Sequence, residues 1–147
     1  MYTVEEIESF QRTAVELGLK YPAGFTEMSA SEMVNIINGY GPDSWSDELR
    51  NILTWIFRKY PLPAAIHDVR YEFSDGRELT RKAADAEFSA NLLIVWHHNY
   101  GIWRYVNPMA WLDYWKINMA TALTLEFGRN AWRNAYRRNQ RKVKCYE

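Results

Sequence analysis

The sequence predicts an all-α protein, on three observations. Apolar residues recur at helical spacing along most of the chain, and strand-like alternation is nearly absent. Helix start and stop signals also fall at the ends of those periodic segments. At 147 residues the chain reads as one domain, 1–147, of five to six helices, long enough to bury a substantial core.

The first helix is expected over 3–18, with Thr3 as cap, Glu6 at capping-box spacing and Gly18 as the stop. Val4, Ile7, Phe10, Ala14 and Leu17 trace its apolar face. "KYPAGF" is a loop, and a short helix over 30–38 ends at the Gly-Tyr-Gly-Pro of 39–42. In "SWSDELRNILTWIFRKY", Ser46 caps a helix with acids in its first turn and basic residues in its last, as the helix dipole favours. Pro61 and Pro63 suit only a loop or a first helical turn, so the next helix should begin there and run to about Ser74. "SDGRELT" turns the chain into a helix over about 78–98. "NYGIWRYVNP" reads as an aromatic loop. Asn107 followed by Pro108 then starts a long helix to about 144, with Gly128 as a place where it would break.

Composition excludes some functions. Lys+Arg and Asp+Glu are equal at 18 each, so net charge implies no partner. The longest strictly apolar run, "LLIVW", is far too short to span a bilayer. Cys145 is the single cysteine and forms no internal disulfide, which suits a reducing compartment or a virion. The acidic, amphipathic start "MYTVEEIESF" is not expected to be a cleavable signal peptide. Aromatic residues, at 16% with seven Trp and ten Tyr, exceed what a small core needs.

The chemistry concentrates in "AAIHDVRYEFSDG", 64–76. On a helix, His67, Asp68 and Tyr71 project from roughly one side. On the next helix, Arg81, Ala84, Asp85, Phe88, Asn91, Leu92 and Val95 form one stripe, largely apolar, with Asp85 inside it. A carboxylate on a packed face is costly unless paired. The short turn makes the two helices antiparallel neighbours at the centre of the fold, so His67 is the natural partner of Asp85. A His fixed by a buried Asp can take a proton from water through its other ring nitrogen. Asp68 points elsewhere and is suited to a hard cation such as calcium. A metal phosphohydrolase is disfavoured, because it needs another His upstream, whereas His97 and His98 lie downstream and adjacent.

"HDVRY" followed by "RKAADAEF" resembles the catalytic core of the phospholipase A2 superfamily, closest to the disulfide-free type of parvovirus capsids and small phage or prophage proteins. "NGYGP" at 38–42 and "TLEFGRNAW" at 124–132 extend the similarity over about 36–132. The resemblance implies calcium-dependent hydrolysis of a phospholipid ester. His67 would be the general base, oriented by Asp85, with Tyr71 as a supporting donor. Asp68 would be a calcium ligand, with the backbone carbonyls of Gly39 and Gly41 completing the site. It also implies a bacterial cytoplasm during phage production, or a phage virion, as the setting. The alternative is a non-catalytic virion structural or assembly protein that keeps the His-Asp network for folding.

Two surfaces complete the reading. The C-terminal segment 129–144 carries seven Arg/Lys and no acid. There Arg129, Arg133, Arg137 and Arg141 recur every four residues, with Trp132 and Tyr136 in a second row. This face is a candidate for a phospholipid surface or a phage structural protein, and less so for nucleic acid. In "WRYVNPMAWLDYW", 103–115, helical spacing assigns most of the rings to the core, any exposed remainder fitting a lipid interface.

Overall fold

The computed structural model describes residues 2–38 and 47–144. Within them the chain is all-α: α1 Val4–Glu16, α2 Ala30–Asn38, α3 Asp47–Lys59, α4 Pro61–Glu72, α5 Glu78–Tyr100 and α6 Pro108–Lys144, with a short 3₁₀ helix at Gly101–Tyr105 where a loop was expected.

Local chemistry accounts for most boundaries. The capping box of α1 is formed, Thr3 Oγ1 accepting from Glu6 N–H and Glu6 accepting from Thr3 N–H (2.7 Å). Gly18 then turns the chain at φ 62°, a backbone conformation that costs other residues energy. Proline at the first position of α4 loses nothing, because that N–H has no helical partner. Asn107 caps α6 by accepting from Met109 N–H (2.9 Å). Contrary to the expected break, α6 runs straight through Gly128.

Helix α4 lies between two apolar clusters. One joins Ile7, Phe25, Met33, Ile66 and Val69, closing α1 and α2 onto α4. The other joins Ile56, Ala64, Phe88, Leu92 and Ile117 from α3, α4, α5 and α6. This explains why "LPAAI" is apolar without periodicity: Leu62 to Ile66 are buried throughout. Each large side chain there, such as Ile66, stabilises by about 1.5–3 kcal/mol. The loop after α1 is pinned by Asn91, fully buried, which accepts from Lys20 N–H (2.8 Å) and donates to Lys20 C=O (2.6 Å).

Helices α5 and α6 form a hairpin. Trp96 Nε1–H donates to Ala110 C=O near its tip, and Arg81 reaches Thr124 C=O further down. The aromatic stretch at this tip corrects the expectation of core packing: Trp103, Tyr105, Trp111, Tyr114 and Trp115 are all exposed. The opposite face of α6, through Ala110, Asp113, Ile117 and Ala120, is the buried one.

Candidate active site

The centre of the site is Asp85, fully buried on α5. Its Oδ1 accepts from Tyr71 Oη–H at 2.7 Å and lies 3.1 Å from His67 Nε2. Its Oδ2 accepts from Arg81 Nη1–H at 2.6 Å. A carboxylate bonded to a guanidinium needs a donor opposite, so Nε2 carries the imidazole proton and Nδ1 keeps a lone pair. His67 is held between the rings of Tyr71 and Phe88, with centroids at 4.3 and 4.5 Å. Its side chain is 11% exposed, which limits access to a small opening.

Two further elements support this cluster. Arg81, itself buried, donates twice to Glu78 (Nη2–Oε1 2.7 Å, Nε–Oε2 3.2 Å). These bonds, ahead of the charge of Asp85, raise the Arg81 pKa further above its usual value, while Glu78 is held down at about 2, first by Arg81 and then by Arg129. Burial, and then the Asp85 charge, raise the Tyr71 hydroxyl well above the usual phenol range, so it stays a donor. On α6, Gly128 gives the Tyr71 hydroxyl its space: a Cβ there would collide with Oη and stand 3.4 Å from Arg81 Nη1.

The site residues read from the sequence divide clearly. His67, Asp85 and Tyr71 are brought together. Asp68 stands apart from them, partly buried, with no hydrogen bond or ion pair to any described residue; burial pushes its carboxyl up to about 8. The nearby Tyr2 hydroxyl donates to Phe57 C=O (3.3 Å), and its pKa is raised by burial and then by Asp68. Gly39 and Gly41 lie outside the described residues. Among the described residues no group of three or more His, Cys, Asp or Glu stands ready to hold a metal ion.

The C-terminal helix differs from expectation in its sidedness. Trp132, assigned to the partner-facing row, is buried and packs edge-on against Tyr71 at 5.0 Å between centroids. Its backbone carbonyl also accepts from Ser74 Oγ–H (2.9 Å). The Tyr136 ring lies over Gly76 in the α4–α5 turn, where an added Cβ would stand a tight 3.0 Å from its carbons. Arg129 pairs with Glu78 (3.3 Å) and Arg138 with Glu72 (3.0 Å). Arg133, Arg137 and Arg141 remain on the exposed side. Trp132 therefore faces the protein, where α6 covers the hydroxyl end of the Tyr71–Asp85 network, while Tyr136 keeps an exposed edge.

Arg81, Glu78 and Gly128 were not foreseen as site residues. Arg81 had a visible signal, the i,i+4 spacing to Asp85. The chain matches no protein-family model, no curated protein and no solved structure.

Proposed function

We propose that this chain is a phospholipase A2-like protein of the viral and phage type, hydrolysing a phospholipid ester with a water activated by His67. The observation that carries this reading is the 3.1 Å contact between His67 Nε2 and Asp85, which leaves Nδ1 as the proton acceptor. Nδ1 takes a proton from a water as its oxygen bonds to the ester carbonyl carbon. The tetrahedral intermediate then loses the lysolipid alkoxide, which takes that proton from the imidazolium, and a fatty acid is released. Asp85 stabilises the imidazolium, and Tyr71 and Arg81 keep the carboxylate from turning away.

Calcium would sit at Asp68. A partly buried Asp with no ion pair to a described residue is the right kind of donor for a hard ion, whose binding would displace the proton that burial favours. It is one ligand of several, and the carbonyls proposed to join it, at Gly39 and Gly41, lie outside the described residues. When bound, the ion would supply polarisation of the ester carbonyl and stabilisation of its oxyanion. The exposed Arg133, Arg137 and Arg141 would meet lipid headgroups or a virion protein.

A second reading has its own observation. Asp85 has a full set of partners, including a guanidinium, and such a network serves folding without any reaction. A non-catalytic virion structural or assembly protein would keep it for that purpose. Fatty-acid release from mixed phospholipid vesicles with and without calcium separates the two. The hydrolase reading expects calcium-dependent release, lost in His67→Ala and in Asp68→Asn. A folded wild-type protein that binds no calcium and releases no fatty acid would leave the structural reading.

A further inference from the structure

The tip of the α5–α6 hairpin exposes an apolar surface that the site at His67 does not use. Ile102 is 77% exposed, Trp103 67%, Val106 70%, Trp111 56% and Trp115 57%, with Leu112 beside them. Apolar exposure concentrated in one short stretch of chain marks an interaction surface rather than a fluctuation of packing.

Its charges narrow the partner. Between Phe88 and Leu125 the only acid is Asp113, and it is buried under Lys59, Tyr60 and Tyr100. The basic groups of the same stretch are His97, His98, Arg104 and Lys116, the two histidines exposed. Apart from the buried Asp113, the charged and imidazole side chains of this stretch are thus all basic, which complements an anionic apolar boundary. A second copy docked face to face would set these basic groups against their own images. Single-stranded nucleic acid would use the rings for stacking but leave Ile102, Val106 and Leu112 against polar backbone. Trp and Tyr rings among aliphatic side chains suit the boundary between headgroups and acyl chains, where one edge stays wet.

We propose that this hairpin tip docks on an anionic bilayer surface. The docking surface is separate from the His67 cluster: from Asp85 to Gly101 α5 rises about 24 Å. Docking would therefore hold the protein by one end, whether or not His67 is catalytic. No helix among the described residues is long and apolar enough to cross the membrane, so this is attachment at the surface.

The test is co-flotation of the full chain with vesicles of phosphatidylglycerol and phosphatidylcholine, against phosphatidylcholine alone, together with tryptophan emission. Binding to the anionic vesicles with a blue shift is expected. The variant Trp103→Ser/Trp111→Ser/Trp115→Ser should reduce partitioning about tenfold or more. Its three sites are exposed, and the single variants Ile102→Ser and Trp103→Ser should weaken binding in the same direction if the triple variant misfolds. His67→Ala should bind as wild type, and a wild-type protein that binds these vesicles but releases no fatty acid with calcium would overturn the proposed function and leave this docking surface standing. No vesicle binding by the wild type would overturn the proposal. So would undiminished binding by the tip variants, or binding lost only in Arg133→Glu/Arg137→Glu/Arg141→Glu. Concentration-dependent dimerisation abolished by the tip variants, without vesicle binding, would instead identify a second copy as the occupant.

Discussion

Gly128 on α6 faces the hydroxyl of Tyr71 so closely that any side chain at that position would occupy the space of Oη. The hydroxyl cannot yield freely, because it donates to Asp85 at 2.7 Å and its ring is packed against Trp132. In an open helix, Gly→Ala would stabilise by about 1 kcal/mol. Here overpacking should outweigh that gain, for a net loss of about 1–2 kcal/mol in urea unfolding. In a Tyr71→Phe background Oη is gone, and the same Gly128→Ala change should become neutral or stabilising. A double-mutant cycle measures this directly, and purely additive effects would show that the collision does not govern the site.

Arg81 and Asp85 form a pair at 2.6 Å with both side chains buried. Removing one partner leaves a charge without its counter-charge in a dry interior, at a cost of about 3–5 kcal/mol. Arg81→Met should be destabilising on that scale. Lys should rescue little, because one ammonium cannot reproduce the fork that binds Asp85 and Glu78 together. Arg81→Met/Asp85→Asn should recover part of the loss. Equal stability of Arg81→Met and wild type in denaturant titration would remove Arg81 from the account of how Asp85 is held.

The acid limb of stability should carry a contribution from Glu78. Hydrogen bonds from Arg81 first, and then from Arg129, hold its folded pKa at about 2, below its ordinary 4.5. The unfolded chain therefore takes up this proton first. The contribution is fully present above about pH 4.5 and is lost as pH falls towards 2. Glu78→Gln should flatten this part of a plot of melting temperature against pH, most visibly at low salt because the group is partly exposed. A variant with an unchanged acid slope would show that Glu78 titrates as it does in the unfolded chain.

The features legible in the sequence were those set by local chemistry or by a cost that demands a partner. Thr3 with Glu6, and Asn107 with Pro108, are self-contained helix starts. Asp85 announced itself as a carboxylate on a packed stripe, and the short turn placed His67 within reach. The sidedness of α6 was not legible, because its Arg row and its Trp132–Tyr136 row have the same period. What decides between them is remote in sequence: Glu72 and Glu78 hold Arg138 and Arg129, and Ser74 holds the Trp132 carbonyl. Gly128 looked like a break because glycine weakens an isolated helix, whereas tertiary contact with Tyr71 favours the absence of a side chain. The rings of 103–115 repeat at helical spacing whether they face a core or a partner.

A second buried carboxylate, Asp113, gathers three donors on one oxygen: Lys59 Nζ at 2.5 Å, Tyr100 Oη at 2.6 Å and Tyr60 Oη at 3.1 Å. Burial works against the charge on Lys59, but its bonds to Asp113 and Tyr100 win and hold its pKa above the usual value. Burial, and then Asp113, push the Tyr60 hydroxyl well above the phenol range. Tyr60 is fully buried, whereas Tyr100 is partly exposed and can exchange its bond for water. The donors should therefore rank by what replaces them. Tyr60→Phe should cost about 0.5–1.5 kcal/mol, and Tyr100→Phe less. Asp113→Asn should cost the most, about 1.5–3 kcal/mol, because it weakens all three charge-assisted bonds together. Urea midpoints measured at pH 7 provide the order. If Asp113→Asn proved the mildest of the three, the carboxylate would be a burden on the fold rather than the group that ties α3 and α5 to α6.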